Sequence, residues 1–152
     1  MIEVKFFDME EFDSKGEPGT GNGMRISTLL KLDKARADYK KRITINHGFR
    51  TSKAAKRIKK NYPGAVDKSS HELGFASDLR PTDVTLQSNN WDDWKELLDS
   101  LWVGGFRRFG IMGHAIHVDD DPARSAPYIW DYEQTPSLIW AKAQQWFKEK
   151  TK

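Results

Sequence analysis

The segment NWDDWKELLDSLWVGG, residues 90 to 105, reads as a strong helix and limits how the rest can be arranged around it. Trp94, Leu97, Leu98 and Leu101 recur on one face at helical spacing, Asn90 can cap the start, Asp92 and Asp93 suit the first turn, and Gly104 ends the run. A stripe that wide has to be buried against a second layer. Three further segments read as helices. Residues 27 to 39 place Leu29, Leu32, Ala35, Arg36 and Tyr39 at helical spacing, with Ser27 as N-cap. Residues 51 to 64 are closed by Pro63 and Gly64, and residues 137 to 150 turn Leu138, Ile139, Trp146 and Phe147 inward. The strand patterns between them are short: RITINHGF (42 to 49), GFASDLRP (74 to 81, stopped by Pro81), and the pair FRRFGI and AIHVD around Gly110 and Gly113. Residues 1 to 12 read as a short strand and a turn, and residues 13 to 23 as a glycine-rich loop. Without a regular βαβ cycle these elements predict the α+β class, with a small, mostly antiparallel sheet flanked by helices.

At 152 residues, with 38% hydrophobic residues and six tryptophans, the chain predicts one domain over 1–152. It has no cysteine, so disulfides and cysteine-based zinc sites are excluded, and any metal must use histidine and carboxylate. No apolar run approaches the roughly 18 residues that a membrane span needs, and MIEVKFFDMEEFD lacks a signal-peptide pattern. Cytoplasmic synthesis without a signal peptide is therefore expected. The net charge of +3 and pI near 9.0 fit mild attraction to an anionic polymer. Few aromatics interleave the basic run RTSKAAKRIKK, which reads as a solvated helix face, so no nucleic-acid partner is expected. Trp140, Trp146 and Phe147 in the tail read as core rather than interface, which fits a monomer.

The stretch SSHELGFASDL, residues 69 to 79, combines two metal-ligand types with small residues. His71 and Asp78 differ by an odd number of positions and would face opposite sides of one continuous strand, so the segment has to bend, and Gly74 is where it can. Ala76 then shares a face with Asp78 and is too small to block the space beside an ion. GHAIHVDDDP, residues 113 to 122, adds His114 and His117, which also point apart in a flat strand unless a bend at Gly113 or a bulge intervenes. His71, Asp78 and His117 thus offer the three protein ligands of a hydrolytic metal site. Against this stands the bland reading, in which an isolated histidine is a surface or hydrogen-bonded residue. His47 has no partner pattern and is left outside the set. Asp119, Asp120 and Asp121 read as solvated loop charges, with Asp119 able to orient a ligand from behind.

Ser69, His71, Gly74, Ala76 and Asp78 match S-x-H-x-x-G-x-A-x-D, and this resembles the signature of the zinc D-Ala-D-Ala carboxypeptidase family, which includes D,D-dipeptidases and bacteriophage L-alanyl-D-glutamate endolysins. IHVD is similar to that family's last-ligand segment. INHGFRT is similar to its S-G-Y-R-[ST] element, with His47 where Ser is common and Phe49 replacing Tyr. In the family's order the match runs from the helix near Ser27 to Trp130. The resemblance implies a Hedgehog/D,D-peptidase-like fold and a zinc peptidase domain holding one zinc ion on His71, Asp78 and His117. It further implies that Arg50 contacts a substrate carbonyl or carboxylate, that Ser69 belongs to the substrate site, and that His114 stands at the position of the catalytic acid/base. The implied substrate is a peptidoglycan stem peptide or cross-link. The implied setting is a phage or prophage lytic enzyme that reaches the wall after release, or a virion component. The competing expectation is a non-catalytic metal-binding or virion structural protein that keeps the peptidase fold.

Overall fold

The structure is a computed structural model that describes residues 4–64, 69–87, 89–132 and 135–152. Helix α1 (Ile26–Tyr39) leads into strand β1 (Ile43–His47), helix α2 (Ser52–Asn61) and strand β2 (Ala76–Pro81). Helix α3 (Trp91–Gly104) is followed by three short strands, β3 (Arg108–Ile111), β4 (Ile116–Asp119) and β5 (Tyr128–Asp131), and by helix α4 (Ser137–Lys150). The strands form one sheet in the order β1-β2-β4-β3-β5. Among the described residues only the β3–β5 pairing is parallel, so the class is α+β with a mostly antiparallel sheet flanked by helices.

The apolar stripe of α3 finds its second layer in α1 and in one face of the sheet. Trp94, Leu97, Leu98 and Leu101 are fully buried with Leu32 and Ala35 of α1, Leu79 of β2, Phe109 and Ile111 of β3, and Ile116 and Val118 of β4. Full burial of one such side chain contributes roughly 1.5–3 kcal/mol, so this cluster supplies most of the driving force. At Gly104 helices α1 and α3 approach closely, since a Cβ there would stand 2.5 Å from the Lys31 carbonyl oxygen. Helix α3 then ends on Gly105 at φ +113°, a conformation a side chain would strain.

Several expectations are corrected. Residues 4–12 contain no strand; a 3-10 turn at Met9–Phe12 buries Phe12 instead, while residues 1–3 lie outside the described residues. Helix α1 begins at Ile26 with Arg25 rather than Ser27 as N-cap, because the Arg25 amide is held by the Gly74 carbonyl at 2.9 Å. Asn90 stands at the N-cap of α3 without making a side-chain capping bond. Leu138 is exposed, and α4 is held by Ile139, Ala143 and Trp146. Strand β5 was not anticipated. It forms a sheet edge, with Tyr128 exposed and none of its residues fully buried.

Candidate metal centre

Strand pairing alone brings most of the site together. His47, Asp78, His117, Gly110 and Trp130 occupy one row across all five strands, each opposite the next. Residues directly opposite share a face, so a row reading His-Asp-His-Gly-Trp crosses the side of the sheet away from the apolar cluster. His71 enters from the loop before β2. That loop turns at Gly74, whose φ is +81° and where a Cβ would stand 2.2 Å from the Gly23 carbonyl oxygen. The bend that residue parity requires is therefore present, and only glycine satisfies it.

Asp78 Oδ1 is the shared point, 3.3 Å from His71 Nε2 and 2.9 Å from His117 Nδ1. Ligand atoms of His71, Asp78 and His117 all lie within 4.8 Å of one another, and all three residues are buried. The far nitrogens are committed elsewhere. His71 Nδ1–H donates to the Gly48 carbonyl at 2.8 Å, and His117 Nε2–H donates to Asp119 Oδ2 at 2.9 Å. Each bond fixes the ring so that the opposite nitrogen faces Asp78, the backing that metal-ligating histidines usually have. Bonds of about 2.1 Å to a tetrahedral ion put its ligand atoms about 3.4 Å apart. The two separations at Asp78 Oδ1, 3.3 and 2.9 Å, are near that, and this buried group of two imidazoles and one carboxylate could hold a metal ion.

Without an ion the charges pair among themselves. Burial alone would lower the His117 pKa, but Asp119 and Asp78 hydrogen-bond the ring from both sides and hold it up at about 9. Burial would raise Asp78, yet His71, His117 and His47 hold it well below the ordinary carboxylate range. Asp119 is also lowered against its burial, by His117 and then by Arg108, whose Nε–H donates to Oδ1 at 2.8 Å. A proton on His117 thus balances charge that a metal cation would otherwise balance.

The remaining predicted residues separate. Arg50 adjoins the cluster: its amide donates to the His71 carbonyl at 3.1 Å, and its Nη1 donates to Ser69 Oγ at 3.2 Å. His114 is exposed in the turn between β3 and β4, and among the described residues no hydrogen bond, ion pair or ring contact joins it to the cluster. Asp119 is the orienting residue expected. Asp120 and Asp121 are not solvated loop charges: Asp121 is buried and accepts from Ser70 Oγ at 2.8 Å, and Asp120 pairs with Lys31 at 3.1 Å. Sequence reasoning missed His47, whose Nδ1 lies 3.3 Å from Asp78 Oδ2. A register irregularity between Ile45 and His47 puts it there, and a bulge of that kind leaves no local mark in the sequence. It also missed the aromatic wall. Trp130 and Tyr132 lie 5.2 and 6.3 Å from the His117 ring, over Gly110, where a Cβ would stand 2.6 Å from the Tyr132 ring. Burial, then Asp78, pushes the Tyr132 phenol up to about 12.

Comparison of the chain with protein-family models, with curated proteins and with solved structures found no match. The metal cluster and its surroundings therefore stand on their own geometry.

Proposed function

We propose that the chain is a zinc-dependent peptidase that hydrolyses peptidoglycan stem peptides or their cross-links, acting as a phage or prophage cell-wall lytic enzyme. The observation that carries this reading is the convergence of His71 Nε2, Asp78 Oδ1 and His117 Nδ1, with both far nitrogens backed, beside Arg50. Three such ligands suit zinc in a hydrolytic site. Zinc bound there supplies a Lewis acid and lowers the pKa of its water to about 7. Arg50 presents a planar fork of donors that stays charged at neutral pH, and its bond to Ser69 leaves donors free for a substrate carbonyl or carboxylate. Removing one such donor costs about 10² to 10³ in rate. The attacking water's proton needs an acceptor outside the ligand set. The motif resemblance assigns that role to His114, while His47 is an exposed imidazole whose Nδ1 lies 3.3 Å from Asp78 Oδ2.

One observation favours a second reading, a metal-binding or virion structural protein without turnover: the described contacts leave His114 apart from the cluster. Digestion of purified sacculi with and without chelator, followed by mass analysis of the released fragments, tests both. Chelator-sensitive release of stem-peptide fragments, abolished in His114→Ala or His47→Ala while bound zinc is retained, supports the enzyme. Stoichiometric zinc with no fragment released supports the second reading. Arg50→Lys should lower turnover far more than zinc content, and equal loss of both would make Arg50 structural.

A further inference from the structure

His47 also lines a cavity of about 460 Å³, between the loop carrying Asp13 and Lys15, the end of β1 and helix α2. Helix α2 has the most lopsided distribution of charge and apolar side chains of the four helices, yet none of its residues is buried. A surface helix normally packs its apolar stripe on the core. In α2 the stripe residues Ala54 and Ile58 line the cavity, joined by Phe49 from the loop after β1. Three cations, Lys15, Arg50 and Arg57, share that lining, and none has a carboxylate partner among the described residues. Asp13, the one acid among the described lining residues, has its oxygens taken by the amides of Gly19 at 3.1 Å and Gly21 at 2.7 Å. The cavity therefore combines apolar and cationic lining with an acid already committed to its own loop. His47 lines it while also standing 3.3 Å from Asp78, so the cavity adjoins the metal centre across a single side chain.

We propose that this cavity binds a free carboxylate of the peptide substrate, with Arg57 as its principal partner and Lys15 as a second, while Phe49, Ala54 and Ile58 receive the aliphatic carbons next to it. The inference rests on the peptidase reading and deepens it. Arg57 becomes a specificity determinant selecting peptides with a free carboxylate near the bond cut. A peptide matches the lining better than a phosphate polymer, because its charge is attached to apolar carbon that the apolar residues can cover.

The test uses the full chain with bound zinc and the synthetic stem peptide L-Ala-γ-D-Glu-L-Lys-D-Ala-D-Ala, in three forms: the free acid, the glutamate carboxamide and the C-terminal carboxamide. Affinity is read by calorimetry where the peptide stays intact and as KM beside kcat where it is cut. One amidated form is expected to bind about tenfold more weakly than the free acid, the scale of losing one charged hydrogen-bond partner, and this identifies the carboxylate that is read. Arg57→Gln should bind all three forms at that weaker level, with zinc content unchanged, and Arg57→Lys should recover part of the difference. The inference is overturned if both amides bind like the acid, if Arg57→Gln keeps the discrimination, if no form binds, or if poly(glycerol phosphate) binds more tightly than the peptide through Arg57. Arg57-dependent discrimination without any cleavage would defeat the peptidase reading and leave this one standing. Cleavage of all three forms with equal kcat/KM would do the reverse.

Discussion

Alternate residues of β2 and β4 meet opposite surroundings at similar depth. Leu79, Ile116 and Val118 are completely buried against α1 and α3, while their chain neighbours Asp78, His117 and Asp119 are only 6%, 6% and 2% exposed on the other face. Both faces are dry, but by different means. The apolar face is stable through packing alone. The other face buries two carboxylates that are tolerated only because imidazoles and Arg108 stand against them, and each loses its compensation if a partner is removed. Since strand side chains alternate, a one-residue slip between β2 and β4 would put Asp78 into the helix layer and Leu79 among the charges. The charged face therefore specifies register as strongly as the apolar one, while leaving the arrangement able to accept a cation.

The largest expected contrast comes from neighbouring residues of β2. Asp78→Ala removes the atom both imidazoles approach, and metal analysis of the purified variant should find stoichiometric binding abolished. Leu79→Ala should keep it in the folded protein. If Asp78→Ala retained one zinc per chain, the ligand set would be wrong. Next in size is Phe109→Ala on the apolar face. Phe109 is fully buried with Trp146 at 5.3 Å and Trp102 at 6.2 Å between ring centres. Its truncation should cost about 3–5 kcal/mol in denaturant unfolding, with metal affinity per folded molecule unchanged. A cost below about 1 kcal/mol would show that the layer between sheet and α4 is loosely packed.

What could be read in the sequence divides along the same line. The α3 stripe was legible because Trp94, Leu97, Leu98 and Leu101 are all inside, and the bend at Gly74 was legible because residue parity demands it. These are local constraints. Long-range pairing was not legible. The Arg25–Gly74 backbone bond moved the α1 cap away from Ser27, the β1 irregularity placed His47 against Asp78, and β5 joined the sheet in parallel from a segment without alternation. Helix α2 shows the same limit from the other side: its basic run read as a solvated face, and nothing local marked Ala54 and Ile58 as the lining of a cavity.

A smaller effect is expected behind the ligands. Asp119→Asn keeps the shape beside His117 but removes the charge that holds Nε2–H and Arg108. Zinc affinity, measured by competition with a chromogenic chelator, should fall about 10- to 100-fold. Val118→Ala, one residue away on the apolar face, should leave it unchanged. Equal losses in the two variants would mean that affinity follows general stability rather than the orientation of His117.

The most gradual effect is the dependence of metal-free stability on pH, where only the charged face should respond. The folded pKa of His117, about 9, lies above its ordinary value near 6.5. A raised pKa in the folded state contributes stability that is fully present below about 6.5 and is lost as pH rises toward 9. Metal-free protein should therefore lose roughly 2–3 kcal/mol between pH 6.5 and 9 in denaturant unfolding. Phe109→Ala should be weaker throughout but keep that slope, and His117→Gln should flatten it. Saturating zinc should reverse it, because a ligand that needs His117 Nδ1 unprotonated binds better as the proton leaves. A metal-free curve that is flat over this range in the wild type would mean that the carboxylates on either side of His117 do not hold its proton.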